Sequence, residues 1–174
     1  MPDMMAIVSK AVFEEYAPRA KLGTVLGMRV YRSANRHLER LGEAKDSRLF
    51  LVTVRPPKED LWLVAVLESP QFDEDVWQAP RNRHPITDIG PLKDRLKFES
   101  GKGIQAKKGA LGMSLQTPRA LTQRDAELIM EAVAAARPAP RVAKPRPHNV
   151  TKHVESSVAP CLCHNCLAEA PETL

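Results

Sequence analysis

Residues 48–68 read RLFLVTVRPPKEDLWLVAVLE, two runs rich in β-branched and aromatic residues, Leu49 to Val54 and Leu61 to Leu67, joined by Pro56-Pro57-Lys58-Glu59-Asp60. Runs of this kind on either side of a short proline-rich polar connection specify a β-hairpin. Neither run alternates apolar with polar. Both are apolar almost without interruption, so both faces of the hairpin have to be covered by the rest of the chain. That demand suits the middle of a closed or strongly curved sheet, and a small curved β-barrel with flanking helices satisfies it. The fold class expected is α+β.

Working outward, residues 5–16 (MAIVSKAVFEEY) place Ile7, Val8, Ala11, Val12 and Tyr16 at helical spacing, with Pro18 closing the segment. They predict an N-terminal amphipathic helix within residues 1–20. After Gly23 and Gly27, Met28 to Tyr31 reads as a strand. Ser33 then offers an N-cap for a helical turn carrying Leu38 and Leu41. On the far side of the hairpin, residues 69–89 form a loop holding Trp77, Asn82 and His84, then an extended piece at Pro85 to Thr87. Asp88 can cap a turn with Pro91 just inside it and with Leu92 and Leu96 on its buried side. Residues 96–121 read as strand, glycine-rich turn, strand. Thr122-x-x-Asp125 opens a helix in capping-box style, with Leu128, Ile129, Ala132 and Val133 as its apolar stripe. The organisation expected is a helix at 1–20, an α+β domain at 21–136, a linker at 137–152 and a flexible tail at 153–174.

Composition narrows the function. The 174-residue chain is 43% apolar, enough for one domain with a core, and no segment reaches the roughly 20 apolar residues of a membrane-spanning helix. No signal-peptide pattern opens it, so a cytoplasmic protein without a membrane partner is expected. The net charge of +5 permits attraction to polyanions. Its distribution is uneven: between Glu131 and Glu155 there is no acid, while Arg137, Arg141, Lys144, Arg146 and Lys152 lie among Pro138, Pro140, Pro145 and Pro147. This is a basic linker stiffened by proline, a soluble spacer first and a nucleic-acid arm second. Gly101-Lys102-Gly103 lacks the spacing of a phosphate-binding loop and reads as a turn. Lys102, Lys107 and Lys108 nevertheless set three cations beside it, where contacts to a nucleic-acid backbone compete with plain solvation. Ser33, Ser100 and Ser114 occupy no nucleophile elbow, and His37 and His84 are tied to no nucleophile. An enzyme is not expected.

The order VYRSANRHLERL (30–41), LFLVTVRPPKEDLWLVAVL (49–67), NRHPITDIGPLKDRLKF (82–98) and LTQRDAELI (121–129) resembles the EVE and related PUA-like domains over residues 28–135. That resemblance implies a small β-barrel with flanking helices that binds nucleic acid, DNA or RNA, and in some members reads a modified base in an aromatic pocket. Carried over, the pocket would be lined by Tyr31, Ser33 and Asn35, with Trp62 or Trp77 as walls. The Gly-Val-Trp piece usual after the first helix is missing, since Gly42 is followed by Glu43-Ala44-Lys45. Trp62 lies in an apolar run and reads as core; Trp77, in a polar stretch, is the preferred wall. The phrases LFLVTVRPP, LWLVAVLE, PITDI and LGMSLQTPRALT are also similar to a group of uncharacterised myxobacterial proteins, some with a cysteine-rich continuation. The alternative reading is a protein-interaction or regulatory subunit whose tail docks on a partner.

All three cysteines fall in residues 159–170, APCLCHNCLAEA, as Cys161, Cys163 and Cys166. Structural zinc takes four thiolate or imidazole ligands, and Cys-x-x-Cys places two sulfurs on one ion. Cys161, Cys163, Cys166 and His153 are the ligand set expected, with His148 a substitute for His153; His164 lies inside the knuckle. Free thiols on a tail are the bland alternative, and a redox pair lacks the strand and helix context that tunes a thiolate. Protein purified without a histidine tag is expected to carry zinc in proportion to chain, and to lose it on acidification because the ligands must be deprotonated. Metal analysis checks this: a zinc content that is low and unchanged by a triple Cys→Ser substitution returns the cysteines to free thiols.

Overall fold

The computed structural model describes residues 2–107 and 109–136. The central hairpin forms where the two apolar runs put it. β1 is Asp3–Ile7, β2 Val30–Arg32, β3 Arg48–Arg55 and β4 Asp60–Glu68. The β3–β4 ladder is antiparallel, and Val52, Val64 and Val66 are at most 1% exposed. Phe50, Val52, Leu61, Leu63 and Val66 enter one core cluster, whereas Leu49, Leu51, Val64, Ala65 and Leu67 enter a second. Two neighbours, Val64 and Ala65, thus face the same way. The register explains it: Leu51 pairs with Ala65 and Val52 with Leu63, leaving Val64 as the extra residue of a β-bulge. The bulge bends the ladder and lets the second half of β4 present its large side chains to opposite faces in a shifted phase.

Around this ladder the sheet is built in the order β7-β4-β3-β1-β8, where β7 is Thr87–Asp88 and β8 is Arg119–Leu121. β1 runs parallel to β3 and antiparallel to β8. A separate sheet has the order β2-β6-β5, with β5 at Gln71–Asp73 and β6 at Val76–Gln78. The α+β class holds, but among the described residues the expected barrel is not closed. Its would-be closing edges, β7 and β8, are two and three residues long, and the remaining strands pair with one another instead.

The N-terminus differs from the expected single helix. Met4 to Val8 is apolar with no decisive period, and a short run of that kind satisfies a strand or a helix equally well. Pairing with β3 decides for the strand. The helix α1 then occupies only Lys10–Tyr16, with the Ser9 hydroxyl accepting from the Val12 N–H at 3.3 Å. Phe13 is its buried residue; Val12 and Tyr16 are 54% and 59% exposed. The 3₁₀ helix Arg36–Glu43 buries Leu38 and Leu41 as expected, although its N-cap is Asn35, whose side chain accepts from the His37 N–H, and not Ser33. Trp77, expected in a polar loop, sits in β6. The strand expected at the start of residues 96–121 is replaced by turns and the short helix α2 (Leu111–Ser114), and only β8 remains of that pair.

The helix α3 (Gln123–Ala136) confirms its capping box: Thr122 Oγ1 accepts from the Asp125 N–H at 3.1 Å, and Asp125 Oδ2 accepts from the Thr122 N–H at 3.3 Å. Asp125 does more than cap. Its carboxylate, 2% exposed, also accepts from the N–H groups of Lys97 (3.2 Å) and Phe98 (2.9 Å). Phe98 is held at φ 53°, a left-handed conformation costly for a bulky residue. One buried acid therefore fixes the start of α3 and the bend of a remote segment. Asp125→Ala removes a cap and strands buried N–H donors, and is expected to destabilise the domain by about 3 kcal/mol, seen as a lower urea midpoint at unchanged m-value. Asp125→Asn, which keeps one acceptor oxygen, should lose less.

Candidate nucleic-acid interface

The bend that Asp125 imposes lays residues 95–103 against residues 118–124. Phe98 is buried, the Glu99 N–H donates to the Ala120 carbonyl at 3.0 Å, and a Cβ on Gly103 would come within 3.0 Å of the Leu96 carbonyl oxygen. Glycine is needed there because the chain folds back closely on itself. The two segments line two clefts. One, of about 610 Å³, has Arg40, Lys102 and Arg119 around it; the other, of about 390 Å³, has Arg95, Lys97 and Arg124.

Arg119 is held firmly. Nη1 donates to the Gly103 carbonyl (3.3 Å) and Nη2 to the Ser114 carbonyl (2.9 Å), with the guanidinium 5.0 Å above the Phe98 ring centre. Carbonyls and a ring face orient the cation without neutralising it. Arg40 pairs with Glu99 at 2.9 Å, both side chains about half exposed, an arrangement worth little in water and easily exchanged for another anion. Among the described residues Arg95, Lys97, Arg119 and Arg124 have no ion-pair partner. The acids in the two linings are Glu99 and Asp125, and the Asp125 carboxylate is already engaged by backbone N–H groups. The seam is thus a fixed, positively charged surface.

Of the lysines read from the sequence, Lys102 lines the larger cleft and Lys107 is exposed outside both linings. Lys108 lies outside the described residues, as do His153, Cys161, Cys163 and Cys166. Among the described residues no group of three or more His, Cys, Asp or Glu side chains is placed to hold a metal ion, and no helix is long and apolar enough to cross a membrane.

The aromatic set is brought together differently from the expected pocket. Tyr31 lies opposite Trp77 across β2 and β6, and Trp77 lies opposite Phe72. Trp77 is 2% exposed, its ring 4.9 Å from that of Phe72, and its indole N–H is buried without a partner. It offers no free face for a base to stack on. Tyr31 donates its hydroxyl to the Ile7 carbonyl at 3.2 Å. Burial raises its pKa above the ordinary tyrosine value, opposed by a hydrogen bond with the Ser33 side chain. Ser33 accepts from the Asn35 N–H and Asn35 from the His37 N–H, so both side chains take part in the entry to the 3₁₀ helix. Of Tyr31, Trp77 and Phe72, the exposed ring is Phe72, at 48%.

Sequence reasoning missed Arg40, Arg95, Lys97, Arg119 and Arg124. They are scattered over 85 positions from 40 to 124, and no local pattern marks them; only the Phe98 bend gathers them. Comparison of the chain with protein-family models, curated proteins and solved structures finds no match.

Because the Trp77 ring fills core space, Trp77→Ala is expected to cost about 4 kcal/mol of stability. Thermal melting checks this, and a variant that keeps the wild-type melting temperature would place the ring outside the core.

Proposed function

We propose that the domain is a non-enzymatic module that binds nucleic acid through its phosphate backbone, laid along the seam of residues 95–103 and 118–124. The observation that carries this reading is the gathering of six cations, Arg40, Lys102 and Arg119 at one cleft and Arg95, Lys97 and Arg124 at the next, against so few available acids. Unpaired exposed cations keep counterions that phosphates displace on binding, and their release is the driving force. Arg119, preoriented by two carbonyls, loses less side-chain freedom than a free arginine when it meets a phosphate. The resemblance read in the sequence of residues 28–135 to EVE and PUA-like domains supports the same ligand class. In this reading the bulged five-stranded sheet is an opened form of their barrel. Stacking of a splayed or modified base falls to Phe72 and not to Trp77. In the same reading Cys161, Cys163, Cys166 and His153, which lie outside the described residues, are ligands of a zinc ion.

The test is fluorescence anisotropy with labelled single- and double-stranded DNA and RNA at two salt concentrations. Affinity is expected to fall steeply with salt. Arg95→Ala, Lys97→Ala and Arg124→Ala should each weaken binding evenly across sequences and reduce the logarithmic salt slope by about 1. Affinity that is undetectable at low salt, or indifferent to salt, would remove the reading.

A further inference from the structure

A second surface, built from other residues, has the character of a peptide site. The three-stranded sheet ends at β2, whose outer edge pairs with no strand among the described residues. Which of its backbone groups are free follows from the register. Tyr31 pairs with Trp77, the Ala79 N–H donates to the Arg29 carbonyl, and the Ser33 N–H donates to the Asp75 carbonyl. In an antiparallel ladder every second residue bonds to the partner, so Arg29, Tyr31 and Ser33 face β6 while Val30 and Arg32 turn their N–H and C=O groups outward. Val30 is 51% exposed, and the Arg32 side chain 79%.

Beside this edge runs a groove of about 510 Å³, with Val12, Phe13 and Tyr16 of α1 on one side and Val30, Tyr31 and Arg32 on the other. Three consecutive strand residues line it. Since successive side chains point to opposite faces, a cavity touching all three meets the strand at its edge, where the free backbone groups are. Val12, Tyr16 and Val30, which line it, are each exposed to solvent over about half their surface, more apolar exposure than two short elements of a small domain need show. The groove floor, Ile7, Val8 and Ser9, continues into a second groove of about 620 Å³ that reaches Pro57 and Met113. Arg32 is the one charged side chain among the residues lining the first groove, and its partner, Asp75, lies at 3.5 Å in an exposed pair that a ligand carboxylate can readily displace.

We propose that β2 and α1 form a docking groove for an extended segment of a partner protein. The segment adds as a strand to the edge of β2, sets apolar side chains at alternate positions between Val12, Tyr16 and Val30, and places a carboxylate on Arg32. The free N–H and C=O groups select an extended backbone over a helix, the groove selects alternating apolar residues, and Arg32 selects acidity. This site shares no residue with the basic seam, so either stands without the other.

The experiment is selection of a phage-displayed random peptide library on the full chain, followed by anisotropy of the enriched peptides as labelled synthetic probes. Enriched sequences should alternate apolar residues and carry an Asp or Glu. Their affinity should fall roughly tenfold or more on Val30→Glu and on N-methylation of alternate peptide amides, which removes strand donors and leaves every side chain in place. Selection repeated on Arg32→Glu, an exposed change that leaves the groove walls intact, should enrich basic peptides instead. Failure to enrich above bare matrix, or peptides indifferent to N-methylation, overturns strand addition whether or not Val30→Glu folds. Identical charge preference on wild type and Arg32→Glu overturns the role of Arg32.

Discussion

The β3–β4 ladder buries large apolar side chains on both faces, and that single requirement places nearly everything else. Fully burying a leucine or valine stabilises by about 2 kcal/mol, so a strand pair with eight such residues buried, besides Phe50, cannot leave either face wet. One face is covered by α3, by Leu111 and Leu115 in and beside α2, and by the turns carrying Ile89, Leu92, Leu96 and Phe98; the other by Phe13 of α1, Leu38 and Leu41 of the 3₁₀ helix, Trp77 and Ile86. β1 lies inside the sheet and serves both, Met5 on one side and Met4 and Ala6 on the other. β4 feeds both cores by ordinary alternation, and the bulge at Val64 shifts the phase of that alternation so that Val64 and Ala65 enter the same core.

The basic seam is a by-product of that covering. Residues 95–103 must return across the first face between the Leu92 turn and α2, and Asp125 supplies the acceptors that such a bent segment cannot find in a ladder. Without helical or sheet partners, the Phe98 N–H would be a buried orphan and the Lys97 N–H a half-buried one. Their capture by a helix-capping carboxylate ties the geometry of the two clefts to the start of α3. Glu59 acts in a similar way further along the chain, at the start of α2, its carboxylate accepting from the Gly109 and Leu111 N–H groups at 2.7 and 2.9 Å. The backbone that carries the seam's cations is thus tied down by Asp125 and does not have to move to relieve their repulsion.

The smaller sheet obeys a different logic. β5 and β6 are three residues each, and Trp77 anchors them to the core through a ring that touches Phe72 on its outer side. β2 is equally short but lies beside α1, whose Val12 and Tyr16 point away from the core because Phe13 alone meets it. The result is an apolar trough next to a free strand edge. The domain consequently offers two surfaces of opposite chemistry, one cationic and one apolar with unsatisfied backbone polarity.

By itself, the sequence determined the hairpin, the two buried faces, the capping box of α3, the Leu38–Leu41 and Leu92–Leu96 turns, and the α+β class, because each rests on residues within one helical turn or one strand of each other. It did not determine β1, where the apolar run from Met4 to Val8 fits two periods and the pairing partner lies 45 positions away, as Asp3 with Arg48. Nor did it place Trp77, whose local surroundings are polar and whose burial depends on β2 and Phe72 closing over it. The lysines of the glycine turn were legible as charge; the arginines that join Lys102 at the clefts were not, since their convergence depends on a left-handed Phe98 held by an acid 27 residues further on. Local periodicity and capping are written in the chain. Which strands share an edge, which rings lose their solvent, and which charges become neighbours were decided by tertiary packing, because only the folded chain brings distant residues within the few ångströms over which hydrogen bonds and van der Waals contacts act.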